Sequence, residues 1–194
     1  RWPGQIPAGS VSNAIQSHED LFVTLAAAAG EPDIKAKLLQ GAEMGGMNYK
    51  VHLDGYDNLP LWTGKTDKSA RREYFYYDEA NLTGVRVGEW KMLFAIKEEG
   101  LWWDPLVYPS VPYLFNLRMD PMEHFDPHSR EWGYMARKLF AEKMWTFIPA
   151  QGLIAAHIKS LQQWPPRQRA QSLSMQKAME QAMQAIERAP SGMQ

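Results

Sequence analysis

The sequence predicts an α+β protein: a four-stranded antiparallel sheet packed by C-terminal helices. Three observations predict it. Between Glu73 and Leu117 the chain concentrates aromatic and β-branched residues in short runs, the composition that suits a pleated, half-buried surface. Gly88-Glu89 separates two of those runs by two residues with glycine first, which fits a type II′ hairpin turn. Beyond Asp120-Pro121 the apolar spacing becomes three and four residues, the repeat of an amphipathic helix.

Residues 1–16 read as an extended segment and loop, because Pro3, Gly4, Pro7 and Gly9 disfavour a helix. A helix is expected from Ser17 to Ala29. Ser17 serves as N-cap and Asp20 takes the acidic position of a capping box. Leu21, Leu25 and Ala28 would form its inward stripe, flanked by Phe22, Ala26 and Ala29. Gly30 supplies the left-handed stop. A shorter helix is expected from Asp33 to Gln40, closed by Gly41. Residues 41–70 read as loop, with one short strand at Lys50–Leu53 turned by Asp54-Gly55.

The expected strands are Glu73–Tyr77, Leu82–Val87, Trp90–Ile96 and Tyr113–Leu117, with a long Trp-rich loop at 98–112 before the last. Trp90, Met92, Phe94 and Ile96 alternate with Lys91, Leu93, Ala95 and Lys97, so one face is buried and the other mixed. Helices follow at Glu131 to Phe147, at Pro149 to Gln163 and at Ser174 to Arg188. Pro149 fits a first helical turn, and Pro165-Pro166 stops that second helix. The third carries Met175, Met179, Met183 and Ile186 on one stripe.

Composition excludes several classes. Twenty-one Lys and Arg balance 22 Asp and Glu for a net charge of −1, which favours neither nucleic acid nor an anionic membrane. No apolar run approaches the ~20 residues that span a bilayer. The absence of cysteine removes disulfides, thiolate metal sites and a cysteine nucleophile.

Five strings, in order, carry a family resemblance. They are Trp2-Pro3-Gly4-Gln5-Ile6-Pro7-Ala8-Gly9, His18-Glu19-Asp20-Leu21-Phe22-Val23-Thr24-Leu25, Val85-Arg86-Val87-Gly88-Glu89-Trp90-Lys91, Leu114-Phe115-Asn116-Leu117 with Asp120-Pro121-Met122-Glu123, and Trp164-Pro165-Pro166-Arg167-Gln168. Together they resemble the C-terminal portion of sulfatases of the bacterial arylsulfatase type. Met122 departs from the pattern, since many relatives carry glycine there. The resemblance implies that residues 1–40 are the tail end, strand or loop plus helix, of an alkaline-phosphatase-like α/β catalytic domain. Residues 41–194 would be the C-terminal subdomain with its helical tail.

The resemblance also implies a sulfuric ester hydrolase as parent. That family attacks sulfur with a formylglycine made in a Cys/Ser-x-Pro-x-Arg motif, beside a calcium ion. Here the nearest match, Ser110-Val111-Pro112-Tyr113-Leu114, has Leu114 where arginine is needed. The family's metal-binding motifs precede the string that begins at Trp2. No catalytic and no metal residue is therefore expected in this chain, and calcium is expected in the catalytic domain. The implied role is structural, at the substrate pocket. The alternative is a stand-alone binding or interaction module derived from the same subdomain. Self-association or contact with a sulfatase catalytic domain is expected, with no nucleic acid and no membrane partner. The compartment stays between periplasmic and cytoplasmic.

The candidate substrate-binding residues are Trp102 and Trp103, on the loop between the third and fourth strands. They would wall an aryl or sugar pocket; packing of that loop onto the sheet is the competing reading. His124 and His128 have the spacing of paired metal ligands on a helix, but Pro127 between them argues for surface turns. His52 and Asp54 flank the end of the expected strand, where turn chemistry explains Asp54, and His157 reads as a satisfied buried or edge histidine within a helix. Arg71-Arg72 reads as a solvated or salt-bridged pair.

Overall fold

A computed structural model describes residues 1–166 together with Met179 and Met183. The helix expected over 174–188 therefore lies outside the described residues, apart from those two methionines, which are helical and exposed.

The elements run α1 (Glu19–Ala28), α2 (Ile34–Gln40), β1 (Ala42–Met44), β2 (Met47–Tyr49), α3 (Leu59–Trp62), β3 (Glu73–Asp78), β4 (Asn81–Val87), β5 (Trp90–Leu93), β6 (Tyr113–Asn116), α4 (Gly133–Lys143) and α5 (Phe147–Gln163). A 3₁₀ turn at Met144–Thr146 joins the last two helices. β1 and β2 form a small hairpin. The main sheet has the antiparallel order β3-β4-β5-β6.

The main sheet is the four-stranded one that the sequence predicts, with Gly88 turning β4 into β5 at φ 59°. Register aligns one core row across all four strands: Phe75 opposite Val85, Val85 opposite Met92, Met92 opposite Leu114. Ala150 of α5 closes over this row, with Phe140, Phe147 and Ile154 around it. Each fully buried aliphatic side chain there contributes about 1.5–3 kcal/mol. A bulge between Tyr76 and Tyr77 places an extra residue, Thr83, on β4. Beside it, a Cβ on Gly84 would stand 2.5 Å from the Met92 carbonyl oxygen, so β5 lies too close for any side chain.

A second core joins α1 and α2 to the small hairpin. Val23, Ile34 and Leu38 are buried, with Ala42, Tyr49, Val51 and Leu53 packed on them. α1 ends as expected. Gly30 takes φ 98°, Glu31 N–H donates to Ala26 O and Gly30 N–H to Ala27 O, the paired bonds of a Schellman stop.

Four expectations need correction. The strand at Lys50–Leu53 is absent; the hairpin lies earlier, where Gly45 and Gly46 supply positive φ, and Val51 instead donates its N–H to Leu38 O at the end of α2. β5 stops at Leu93, and Ile96 keeps only an isolated bridge to Val107, because the Trp-rich loop departs there. α4 begins at Gly133 and yields to the 3₁₀ turn after Lys143. The inward stripe of α1 is Asp20, Val23, Thr24 and Ala27, not Leu21, Leu25 and Ala28.

Candidate functional site

The α1 stripe turns on Asp20. Its carboxylate accepts from the Ser17 N–H at 2.9 Å, the return half of a capping box. It also accepts from the Tyr56 N–H at 2.9 Å and from Asn58 Nδ2 at 3.2 Å. Arg71 grips it from Nε at 3.0 and 3.1 Å and from Nη2 at 2.7 Å. The same guanidinium donates to Glu19, to the Asp54 carbonyl and to the Glu73 carbonyl, and it lies over the Tyr56 ring. Thr24 and Asn58 complete the seam: Asn58 N–H donates to Thr24 Oγ1, and Asn58 Oδ1 accepts from Ser69 and Ala70. Asp20, Thr24, Asn58 and Arg71 are all buried. Among the described residues no buried side-chain polar atom lacks a hydrogen-bond partner. The hub sews α1 to residues 54–73.

Its electrostatics follow from that geometry. Burial alone would raise the Asp20 carboxyl; the bonds from Arg71, Ser17 and Tyr56 outweigh it and hold the carboxyl below its ordinary value. Burial acts to lower the Arg71 guanidinium, but Asp20 and Glu19 raise it. Burial and a hydrogen bond to Glu73 push the Tyr56 hydroxyl up to about 12. Asp20 and Arg71 are buried and bonded to each other and to neighbouring groups, so the hub binds the fold together.

Two surfaces face outward. The expected stripe of α1 is the first: Leu21, Phe22 and Leu25 are 41%, 56% and 57% exposed. The second is the loop after β5. Trp102 and Trp103 are 77% and 82% exposed, so they do not pack onto the sheet. The loop is nevertheless anchored. Lys97 Nζ bonds Asp78 at 3.1 Å and the Trp102 carbonyl at 3.3 Å, and Asp104 accepts from the Leu101 N–H at 2.8 Å. An open cleft of about 670 Å³ lies elsewhere, lined by Ile6, Val11, Gln16, Leu61, Trp62 and Asp67 among others, and it does not include Trp102 or Trp103.

The histidines stay apart. His124 stands 3.6 Å from Asp120. His128 Nδ1 meets the Tyr113 hydroxyl at 2.5 Å. No helix joins the two. His52 pairs with Asp54 at 3.3 Å. His157 is half-buried in α5, stacked on Phe75 at 3.9 Å and bonded to the Tyr77 hydroxyl at 2.6 Å. Among the described residues no three His, Asp or Glu groups converge as a metal site. The Glu19 and Asp20 carboxylates are drawn around the Arg71 cation, and the Glu73 carboxylate accepts from the Tyr56 hydroxyl. These residues do not fit a calcium ion. No helix among the described residues is long and apolar enough to cross a membrane.

Sequence reasoning missed Tyr56 and Asn58, named a salt bridge for Arg71 without its partner, and read Asp20 only as a cap. One signal was available. Asp20, Val23, Thr24 and Ala27 follow the i, i+3, i+4, i+7 repeat as well as the apolar stripe does, and a carboxylate on a buried stripe demands a buried cation.

No protein-family model matches the chain. Human arylsulfatase A is 32% identical over 165 residues, covering 77% of this chain and 29% of that protein. Dog N-acetylgalactosamine-6-sulfatase is 25% identical over 191 residues, covering 85% and 33%. Human steryl-sulfatase is 33% identical over 86 residues, 44% of this chain and 12% of that one. The chain thus spans about a third of the length of the first two relatives. The crystal structure of the sulfatase PsFucS1 from Pseudoalteromonas superposes with a TM-score of 0.62 at 22% identity, over 86% of this chain and 30% of that one; at that identity the likeness establishes the fold alone.

Proposed function

The chain belongs to the sulfatase family, and from that premise we propose that it serves as the C-terminal subdomain of a sulfuric ester hydrolase, as scaffold and rim of the substrate pocket. The observation that carries this is the match of most of this chain to about a third of each of two longer sulfatases. In this reading residues 1–40 belong to the edge of an alkaline-phosphatase-like α/β domain and residues 41–194 to the subdomain beside it. The nucleophile and calcium belong to the catalytic domain. Trp102 and Trp103 offer indole faces to an aryl group or the apolar face of a sugar ring.

The experiment joins this chain to a sulfatase catalytic domain. The chain by itself should leave a chromogenic aryl sulfate intact, with or without calcium. In the joined enzyme Trp102→Ala with Trp103→Ala should raise KM by up to about tenfold and leave kcat nearly unchanged. Turnover by the chain alone would end the scaffold reading; an unmoved KM would end the role of the tryptophans.

The outward face of α1 supports the accompanying proposal on partners. Three large apolar side chains on adjacent turns form a patch that association would cover. Either a second copy of this chain or the catalytic domain would cover it. Phe22→Ser with Leu25→Ser should convert a self-associating species to monomer in sedimentation velocity. A chain already monomeric at high concentration would rule out the second copy. The alternative of a stand-alone binding module rests on the same two exposed surfaces, and it predicts ligand or partner binding with no catalytic domain present.

A further inference from the structure

α5 presents a single stripe to the rest of the protein: Phe147, Ala150, Ile154, His157, Leu161 and Trp164, spaced by threes and fours. Its two halves meet different surroundings. Phe147, Ala150 and Ile154 sit in the apolar core over Val85, Met92 and Leu114. Beyond Ile154 the contacts change character. The His157 ring lies flat on Phe75 and meets the Tyr77 hydroxyl, both on β3 at the edge of the sheet. Trp164 stacks on His52 at 6.3 Å. One titratable ring therefore carries the polar contact of the helix's second half.

We propose that His157 makes this second half of α5 an acid-sensitive latch, docked on β3 while the imidazole is neutral and released when it takes up a proton.

The geometry supports this in three steps. A neutral imidazole can accept from the Tyr77 hydroxyl through Nε2 and stack its face on Phe75. Protonation turns both ring nitrogens into donors and places a charge in a half-buried site. The carboxylates that act on the ring are Asp54, from the loop before α3, and Glu19 of α1. Both are already engaged, Asp54 with His52 and Glu19 with Arg71, which blunts their help to a new cation. In agreement, burial lowers the His157 imidazole from its ordinary value despite those two carboxylates. The opened helix thus binds more protons than the docked one, and docking weakens as pH falls through and below the ordinary histidine range. The first half of α5 has no titratable group on its stripe and should stay seated.

The test is amide exchange of the full chain at pH 7.5 and 5.5, corrected for intrinsic exchange. Residues 157–163 should lose protection by up to about tenfold, the limit set by one proton against an ordinary value near 6.5, and residues 147–154 should be unchanged. His157→Gln, which keeps a polar partner for Tyr77 without titrating, should flatten the response; His157→Phe, which keeps the stack, serves if the glutamine variant does not fold. Equal acceleration in either variant, acceleration spread evenly along α5, or no acceleration would overturn the latch. So would an imidazole titration of the unmodified protein with His157 at or above the ordinary value.

Discussion

Arg71→Met is expected to destabilise the protein by about 3–5 kcal/mol, the usual cost of removing one partner of a buried ion pair, and to lower Tm by roughly 10 °C. The loss exceeds one contact because Arg71 serves several acceptors at once. With methionine there, Asp20 keeps its donors from Ser17, Tyr56 and Asn58 but has no cation within a buried pocket. The carbonyls of Asp54 and Glu73 each lose a donor too. Asp20→Ala should cost a similar amount for the mirror reason. Since the two side chains act as a unit, the double variant should cost well below the sum of the singles. Denaturant midpoints of the three variants check this. A loss under about 1 kcal/mol for Arg71→Met would mean the hub is not what joins α1 to residues 54–73.

The same pair sets an acid limb. The folded Asp20 carboxyl lies below its ordinary value, so the folded protein binds fewer protons than the unfolded chain wherever the two differ. Its stabilisation is therefore complete above the ordinary aspartate value near 4 and is lost as pH falls through the lower folded value. Arg71→Met removes the cation that depresses the carboxyl, so the variant should be weaker near neutrality and show a shallower further loss in acid.

The sheet was legible because its signals are local. Alternation along β5, a glycine-first turn at Gly88-Glu89 and the aromatic runs each specify pairing without reference to distant residues. The stop of α1 at Gly30 was legible for the same reason. The face of α1 was not. Leu21, Phe22 and Leu25 form a stronger apolar stripe than Val23 and Ala27, and hydrophobicity alone selects it. What selects the other face is Asp20, through partners 36 to 51 positions away, and no periodicity reports a contact at that separation. The partner of Arg71 was hidden likewise: a salt bridge was one of its two readings, but nothing local names a carboxylate 51 positions away. The exposure of Trp102 and Trp103 was open in the sequence: a loop tryptophan can fold inward or stand out, and here Lys97 and Asp104 hold the loop by its backbone and leave the indoles uncovered.

Gly55→Ala is expected to cost at least about 3 kcal/mol, at the upper end of overpacking effects. A Cβ on Gly55 would lie 2.2 Å from the Glu19 carbonyl oxygen, 3.0 Å from the Glu19 carbonyl carbon and 3.1 Å from Val23 Cγ2. The first two are backbone atoms in the opening residue of α1, so no rotamer change relieves the clash. Gly55 is also pinned from its own side. The Asp54 carbonyl accepts from Arg71 and the Gly55 carbonyl accepts from Lys35 Nζ at 3.0 Å. The loop can make room only by moving away from α1, which stretches the bonds between Asp20 and Tyr56. Gly45→Ala is the control. Its Cβ would meet nothing within 4 Å, and only its φ of 59° opposes alanine, worth about 1–2 kcal/mol. Gly55 is not among the positive-φ glycines, so its loss in thermal unfolding reads the closeness of helix and loop, while Gly45→Ala reads backbone preference alone. If Gly55→Ala proved no worse than Gly45→Ala, α1 would be able to yield at its first turn, and the tight seam around Asp20 could not be what fixes its rotation.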